Sequence, residues 1–506
     1  MIKWRTVGKS RQPRFRAAAV VVAGLLSMLI GFFPNSALAS SNLCVNPNGS
    51  QGCFATIQAA IDSVAAPNTT VVVNPGTYTA SCTAPACSVA TISSAAANGS
   101  SLAGLVLQCA ASKKQPVILD ATLLDHAVYV SGVNHISIQG CVGENAAREG
   151  ILIENADNVD IANNEVENND QAMAATLGKG NPPCPTFVSP ATPGTSAIQC
   201  CPDAFKGGAG NFPQDNDDCG EGIHLRSVTN SVVQGNSVHD NIGGILLTDE
   251  SGPNDNNLVA NNNSSNNLAF GGDCGVTLPS HLACTSSSTD VTGCTSAPPV
   301  NGVFFGNGVF HNAIVGNVLD NNGALGVGMF TNPSIPPGAA TKAYGNLVSD
   351  NVVEDNGQPG IGIHVHAANG NADNNIIVEN IVKGNGGDSE AEGNSPPRTG
   401  IEVLSNGNFP PFSPAAPIVG TIISQNKVKD EDIDVWVGNT ATAANIFLND
   451  LLGNGAIGVE NAGTASVTAT DDFWGCPQGP GAGGCSSTSG TVVSNPFLSQ
   501  PASPEK

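Results

Sequence analysis

The sequence predicts an all-β protein folded as a parallel β-helix, a solenoid in which each turn of the chain forms one coil. Two kinds of short motif recur along most of the 506 residues, and one amphipathic helix precedes them. A chain of this length would ordinarily form about three domains. The repeats predict one elongated stack instead, because each coil can bury its apolar face only against its neighbours.

The first recurring motif is a short strand in which apolar residues alternate at the period of two that is typical of β-structure. Nine copies begin at Gly150, Gly222, Gly244, Gly302, Gly326, Gly360, Gly400, Asp432 and Ala456. The shortest step, from Gly222 to Gly244, is 22 residues. Such steps predict coils of about 20–30 residues, roughly nine to eleven in number.

The second motif is an asparagine that opens a second strand, followed a few residues later by another asparagine. The opening positions are Asn164, Asn236, Asn317, Asn351, Asn380 and Asn426, and the later ones are Asn168, Asn241, Asn321, Asn356 and Asn385. Asparagine tolerates the left-handed backbone of a tight corner. Its amide can also pair with an asparagine one coil above, so these positions predict ladders along the stack.

The chain begins with the pattern of a signal peptide. Residues 1–16 contain six basic and no acidic residues, residues 17–33 are almost wholly apolar, and Ala37-Leu38-Ala39 provides a small-residue cleavage site. We therefore expect residues 1–39 to be removed; the alternative is an uncleaved membrane anchor. The expected location is secreted or periplasmic, with cell-surface association as a further option and no stable membrane insertion after cleavage.

The segment 40–80 is predicted to form an N-terminal cap and the first strands. Ile57, Ala60, Ile61 and Val64 share one helical face, and a short helix there would cover the open edge of the first coil. Residues 81–485 are predicted to form the β-helix, and residues 486–506 a C-terminal tail.

All 15 cysteines follow residue 39. In an exported chain, close pairs are expected to form loop-closing disulfides. We predict Cys44–Cys53, Cys82–Cys87 and Cys476–Cys485, with Cys109 reaching Cys141 on a neighbouring coil. The pairing of the other seven stays open: Cys184, Cys200, Cys201, Cys219, Cys274, Cys284 and Cys294. The sequence contains no C-x2-C pair, so the cysteines do not predict a zinc site.

The charge of the chain argues against nucleic-acid partners. Without residues 1–39 the chain keeps 12 basic and 41 acidic residues, a net charge of −29. Such a surface repels phosphate backbones. It also repels a polyanionic sugar unless a cation bridges the two. No cofactor is certain from the sequence, but calcium is possible, and Asp215-Asn216-Asp217-Asp218 could bind it.

Three segments resemble right-handed β-helices of the pectin-lyase-like superfamily. TIQAAID at 56–62 and VVVNPGTY at 71–78 are similar to the beginning of these proteins, and DDFWGCP at 471–477 is similar to their last coil. The resemblance covers roughly residues 52–498 and implies the fold more firmly than an activity. The catalytic signatures of the superfamily's polygalacturonases, alginate epimerases and pectin methylesterases are absent.

Long insertions interrupt the regular coils. Segments 171–220, 266–301 and 386–399 precede strands of the first motif, and segments 331–343 and 405–417 follow such strands. Loops of this length on a solenoid are usually functional. The sequence therefore predicts a groove across the outer face of this sheet, with insertions at both edges, where an extended chain could lie.

Residue parity, the alternation of inward and outward side chains along each strand, predicts which side chains point into that groove. It places Glu402 beside Asp434 on adjacent coils, with His364 one coil earlier. Neighbouring carboxylates split their pKa values and could serve as acid and nucleophile of a retaining glycosidase, or bind Ca²⁺. These three are the candidate catalytic residues. His224, Arg226 and His239 suggest a second polar cluster.

Four further residues are candidates for binding on the same face. Trp436, Phe330 and Phe304 could stack on sugar rings, and His366 lies beside them. His364 and His366 could also form part of a metal site, but no third ligand is identified, and no metal-ligating residue is assigned.

Three functions are consistent with these patterns. The first is a secreted polysaccharide lyase or glycoside hydrolase. The second is a non-catalytic glycan-binding or cell-surface adhesive β-helix, whose partner would again be a polysaccharide or cell-surface glycan. The third is a periplasmic accessory protein for metalloenzyme maturation, which exposed histidine and methionine in one cluster would favour.

Overall fold

The computed structural model describes residues 42–80, 88–169, 221–267, 301–331, 341–388, 397–405 and 416–502, except residues 113, 123, 147, 242, 250, 251, 307, 440–442, 454 and 455. The predicted signal peptide, the Cys82–Cys87 pair, the Asp215–Asp218 segment, the seven unassigned cysteines and most of the five insertions lie outside the described residues. The described residues belong to one compact unit.

Three long parallel sheets form the walls of a right-handed parallel β-helix, the fold that the sequence predicts. Most coils contribute one strand to each sheet, so the spatial order of the strands follows chain order. The 12-stranded sheet carries the first motif and contains Ser88–Ser93, His126–Ser131, Ile151–Glu154, Glu221–Arg226, Gly243–Thr248, Val303–Phe305, Val327–Thr331, Ile361–Val365, Thr399–Ser405, Ile433–Asn439, Ile457–Asn461 and Ser487–Gly490.

The other two walls are a 14-stranded and an 11-stranded sheet. The 14-stranded sheet contains Asn42–Val45, Thr70–Val73, Val106–Cys109, Ser137–Gln139, Asp160–Ala162, Val232–Gln234, Leu258–Ala260, Ala313–Val315, Leu347–Ser349, Ile376–Val378, Thr421–Ser424, Ala444–Phe447, Val467–Thr470 and Val492–Val493. The 11-stranded sheet contains Gly76–Tyr78, Val117–Asp120, Val142–Glu144, Glu165–Glu167, Ser237–His239, Asn263–Ser265, Val318–Asp320, Val352–Glu354, Ile381–Lys383, Lys427–Lys429 and Asp450–Leu452. Asn254–Asp255 pairs separately with Val309–Phe310.

The stack is longer than the nine to eleven coils predicted. Coils before Gly150 and after residue 485 lack the first motif but still contribute strands, including His126–Ser131 and Ser487–Gly490. The segment predicted as a tail from residue 486 therefore joins two of the sheets before the chain ends.

The helix Ile57–Asp62 covers the first coil, as predicted. The Thr56 side chain accepts a hydrogen bond from the Ala59 amide, which satisfies one free N–H of the first turn. Ile57, Ala60 and Ile61 are buried against the interior. Two short 3-10 segments, Pro47–Gly52 and Gly99–Ser101, are also present. No helix within the described ranges is long and apolar enough to cross a membrane.

Two continuous asparagine ladders run along the stack. In the first, each Nδ2 donates to the side-chain oxygen one coil further on at 2.9–3.0 Å. Its members are Asn164, Asn236, Asn262, Asn317, Asn351, Asn380, Asn426, Asn449 and Asp472. The second ladder has distances of 2.9–3.3 Å. Its members are Asn169, Asn241, Asn267, Asn322, Asn356, Asn385 and Glu431. Both ladders end in an acid.

The corner and ladder roles predicted for asparagine fall on neighbouring residues. Asn168 and Asn321 lie at corners and adopt the left-handed backbone expected there, with φ of 55° and 53°. The rungs are the residues that follow, Asn169 and Asn322. The corner needs a residue that tolerates positive φ, whereas the rung needs a buried amide, so neighbouring residues divide the two tasks.

Glycine opens seven of the nine copies of the first motif, and the packing around it leaves little room for a side chain. A Cβ at Gly302 would lie 2.7 Å from the Gly326 carbonyl oxygen and 3.0 Å from Nδ2 of Asn322. This column of glycines therefore faces the corner of the interior where the second ladder runs.

Three of the predicted disulfides lie among the described residues, and all three are present. Cys44–Cys53, Cys109–Cys141 and Cys476–Cys485 have Cα–Cα separations of 4.8, 5.1 and 5.2 Å. Cys109 ends one strand of the 14-stranded sheet, and Cys141 follows the adjacent strand Ser137–Gln139. The disulfide therefore links neighbouring coils, as predicted.

Candidate functional site

The outer face of the 12-stranded sheet carries the candidate site. Strand register aligns one outward column across successive coils. The column contains Leu152, His224, Leu246, Phe304, Gly328, Gly362, Glu402, Trp436 and Glu460. Up to Glu402 this is the column that parity predicts.

The predicted adjacency of Glu402 and Asp434 is wrong by two residues. Sequence alignment of the repeats matched Ile433 with Ile401, but Ile401 pairs with Val435 and Glu402 pairs with Trp436. Asp434 therefore occupies the place of the motif's glycine, at the corner of the interior. It is fully buried and its carboxylate accepts a hydrogen bond from the Gly453 amide at 3.2 Å.

The surroundings of Asp434 keep it from acting with Glu402. Burial raises the pKa of Asp434 well above its usual range, and the nearby Glu431 raises it further. A carboxyl group that faces the interior also cannot reach a substrate on the outer face. The same register removes the carboxylate pair that was expected to bind Ca²⁺.

Glu402 instead meets His364 and Asp388, and we call these three residues the central cluster. The His364 Nε2 atom lies 3.5 Å from Oε1 of Glu402 and 3.5 Å from Oδ2 of Asp388. The three side chains are 1 to 4% exposed. Two carboxylates thus converge on one buried imidazole. Asp388 lies in the predicted insertion 386–399, 11 residues before the strand Thr399–Ser405 in sequence, and no sequence pattern marked it.

Aromatic rings surround the imidazole of the central cluster. Phe330 stacks on His364 with ring centroids 4.3 Å apart and an interplanar angle of 10°. His366 and Phe304 meet Phe330 edge to face at 5.3 and 5.0 Å. Three of the predicted binding residues are therefore brought together around His364. Phe330 is partly exposed, whereas Phe304 and His366 are buried.

Trp436, the fourth predicted binding residue, lies apart from this aromatic group. It is 3% exposed and packs against Leu404 and Ile433 on the outer side of the sheet. Its column places it next to Glu402 on the adjacent strand, which follows from the same two-residue shift.

A second group of ionisable residues lies on the same face, four strands from the central cluster. At about 4.8 Å per strand, the two groups are about 19 Å apart. We call it the N-terminal cluster: His126, Glu149, Glu221 and His224. The two carboxylate oxygens of Glu149 lie 3.1 Å from Nδ1 of His126 and 3.5 Å from Nδ1 of His224. All four side chains are at most 5% exposed.

The imidazoles determine the charge of Glu149. Burial by itself raises the pKa of Glu149, but the hydrogen bonds and charges of His126 and His224 outweigh it and hold that pKa well below its usual range. Of these four residues, only His224 was predicted from the sequence. A signal for the two glutamates was present, because an acid precedes the Gly-Ile pair in two consecutive copies of the first motif, at Glu149 and Glu221.

The predicted cluster of His224, Arg226 and His239 does not form. Arg226 pairs with Glu154 at 2.8 Å, and Glu154 also accepts a hydrogen bond from Tyr129. Burial and this bond raise the pKa of Tyr129 to about 12. His239 lies on the 11-stranded sheet and faces Glu165 and Glu167 at 3.5 and 3.8 Å.

The comparisons with known proteins rest on structure, because no protein-family model and no curated protein sequence matches the chain. The Dettilon tailspike protein is 13% identical, with a TM-score of 0.51 over 86% of this chain and 63% of that one. The fold is a parallel β-helix. The chain thus spans less than two thirds of the tailspike protein, and at this identity the likeness concerns fold alone.

Two enzymes give weaker likenesses. The catalytic unit of an α-1,3-glucanase from Streptomyces thermodiastaticus strain HF3-3 is 13% identical, with a TM-score of 0.43 over 89% of this chain and 68% of that one. A mannuronic acid-specific polysaccharide family 6 lyase from human gut microbiota is 11% identical, with a TM-score of 0.44 over 86% and 81%.

Proposed function

We propose that this protein is an exported enzyme that cleaves an extracellular polysaccharide on the outer face of the 12-stranded sheet. The observation that carries the proposal is the central cluster, in which Glu402 and Asp388 both lie 3.5 Å from one buried imidazole nitrogen of His364.

The chemistry follows from the closeness of the two carboxylates. Their ligand atoms and that of His364 lie within 4.8 Å of one another. Two carboxylates at this distance do not ionise equally, so one is available as an acid while the other is a nucleophile or base. Retaining glycosidases hold such a pair about 5–5.5 Å apart. His364 orients the pair and exchanges a proton with it.

The surroundings favour a neutral or weakly charged glycan. A net charge of −29 after residue 39 repels a polyanion. The partly exposed Phe330 offers a ring for stacking beside His364. Because the central cluster is at most 4% exposed, productive binding requires the covering residues to open.

Export is supported by two independent features. The first 39 residues have the composition of a signal peptide. The disulfides Cys44–Cys53, Cys109–Cys141 and Cys476–Cys485 suit an oxidising compartment.

The test is a glycan panel assayed in parallel for new reducing ends and for unsaturated products. On the glycan that is cleaved, Glu402→Gln and Asp388→Asn are each expected to lower kcat by about 10²–10⁴-fold with little change in substrate affinity. Added azide should yield a glycosyl azide of inverted configuration with the variant that lacks the nucleophile and one of retained configuration with the variant that lacks the acid, which assigns the two roles.

Asp434→Asn is the matched control. It removes a buried carboxylate from the same sheet with little change of shape, and turnover should stay within about twofold. Loss of activity in Asp434→Asn together with full activity in Glu402→Gln and Asp388→Asn would refute the central cluster as the catalytic group.

A non-catalytic glycan-binding protein is the second candidate. It is favoured by the contrast between the buried central cluster and the partly exposed Phe330. In that case Phe330→Ala weakens glycan binding, no product forms, and Glu402→Gln binds as the wild type does. Within the described residues, no exposed methionine joins the histidines in support of metalloenzyme maturation, because Met329 lies in the interior core.

A further inference from the structure

We propose that the N-terminal cluster is a binding site for one divalent transition-metal ion of the Zn²⁺ type, with Glu149, Glu221 and His224 as its protein ligands. This site is separate from the central cluster and stands whether or not the protein is an enzyme.

The geometry is the first argument. One oxygen of each glutamate and one nitrogen of His224 all lie within 4.8 Å of one another. An ion with bonds of about 2.0–2.1 Å in a tetrahedral arrangement holds its ligands about 3.3–3.5 Å apart. The 3.5 Å between Nδ1 of His224 and Oε1 of Glu149 already matches that spacing, so small side-chain rotations complete the set.

The orientation of His224 is the second argument. Its Nε2 atom lies 2.7 Å from the Thr248 hydroxyl, on the next strand. With Nε2–H donating to this hydroxyl, Nδ1 presents its lone pair to the carboxylates. Metal-bound histidines are commonly held in this way, with the second ring nitrogen donating to an outer partner.

Burial is the third argument. Glu149, Glu221 and His224 are 2, 3 and 0% exposed. Two buried carboxylates are costly unless positive charge lies beside them. A divalent cation between them neutralises both, while His126 holds the other oxygen of Glu149 at 3.1 Å. The fourth position of the ion is left for water or a ligand oxygen.

The donor set determines which ion is favoured. Ca²⁺ and Mg²⁺ prefer sites made entirely of oxygen, whereas an imidazole with two carboxylates suits Zn²⁺ and its transition-metal neighbours. The sheet also sets the spacing of this cluster, because Glu221 lies in a paired strand and Glu149 two residues before the neighbouring one. In the central cluster, Asp388 lies outside the sheets, which makes that group the weaker metal site.

The exposed trio of Glu165, Glu167 and His239 provides a matched control. It has the same composition, but its side chains are 51, 25 and 20% exposed. His239 also lies 2.9 Å from Asp240. Water screens this group, so it is not expected to hold an ion tightly.

The experiment uses the full mature chain, stripped with EDTA and titrated with Zn²⁺ alone. We expect one tight Zn²⁺ per chain by calorimetry with a chelator in competition, and visible Co²⁺ bands of a four-coordinate site. Glu149→Gln and His224→Gln should weaken Zn²⁺ binding at least about 100-fold, and Thr248→Val about 10-fold. His239→Gln and Glu402→Gln should bind as the wild type does.

Two results would overturn the proposal. One is a folded wild-type chain that binds no stoichiometric Zn²⁺ or Co²⁺. The other is tight binding that survives Glu149→Gln and His224→Gln but is lost in His239→Gln or Glu402→Gln. If the ligand variants fail to fold, Thr248→Val decides the matter, because it leaves all three ligands in place. The experiment measures metal binding alone, so a failure to detect glycan cleavage would leave the metal-binding result unaffected.

Discussion

Replacing Asn317 by alanine is expected to lower the free energy of unfolding by about 4 kcal/mol or more. The Asn317 side chain donates to the Val259 carbonyl and to Oδ1 of Asn351, each at 2.9 Å. Its own Oδ1 accepts from the backbone amide and Nδ2 of Asn262 at 2.9 and 3.0 Å. Alanine leaves these buried partners unsatisfied, at about 1–3 kcal/mol each.

Denaturant unfolding followed by circular dichroism measures this loss. The control is Val318→Ala at the next residue, which is 42% exposed and should change stability by less than about 0.5 kcal/mol. Asn317→Asp should also destabilise strongly, because a carboxylate cannot donate to Val259 or Asn351. An Asn317→Ala loss no larger than that of Val318→Ala would show that the ladder contributes little.

The two acids that end the ladders are expected to make the protein less stable as pH rises. Burial raises the pKa of Glu431 to about 7, despite the opposing hydrogen bonds from Asn385. Burial likewise raises the pKa of Asp472 to about 7, against the hydrogen bonds from Asn449. Between pH of about 4 and about 7 the unfolded chain has lost these protons while the folded chain keeps them, so stability falls across that interval.

The neutral variants Glu431→Gln and Asp472→Asn should remove this loss. Each is expected to raise the free energy of unfolding at pH 8 by roughly 3–4 kcal/mol and to leave it nearly unchanged at pH 4. Thermal unfolding at both pH values measures the difference. The amide oxygen still accepts from Asn385 or Asn449, so the ladder is kept.

Asp432→Asn provides a control of opposite sign. The hydrogen bonds from Arg398 lower the pKa of Asp432, so its stabilisation is present above the unfolded pKa and is lost in acid. Since the pair is exposed, Asp432→Asn should destabilise by less than about 1 kcal/mol at pH 8. If all three variants shift stability in the same direction, the pH dependence does not come from the ladder ends.

The candidate site shows where reasoning from repeats succeeds and where it fails. Parity placed Phe304, Gly328, Gly362 and Glu402 in one outward column, which the strand register confirms. It failed at the next coil, where Asp432-Ile433-Asp434-Val435 resembled the first motif. The strand pairs two residues further on, and a shift of two preserves the alternation of apolar residues, so the pattern cannot detect it.

The sequence by itself determined the fold, the capping helix, the asparagine ladders and the pairing of Cys44 with Cys53, since each rests on a local pattern or a fixed period. The alternation of residues already placed His364 one coil before Glu402, but only the tertiary structure decided that Asp388 joins them and that Glu149 and Glu221 meet His224. Glu149 and Glu221 are 72 residues apart but lie on adjacent coils, because a long insertion separates them. Contacts across coils depend on strand register and on where insertions begin and end, and neither follows from the period of the repeat.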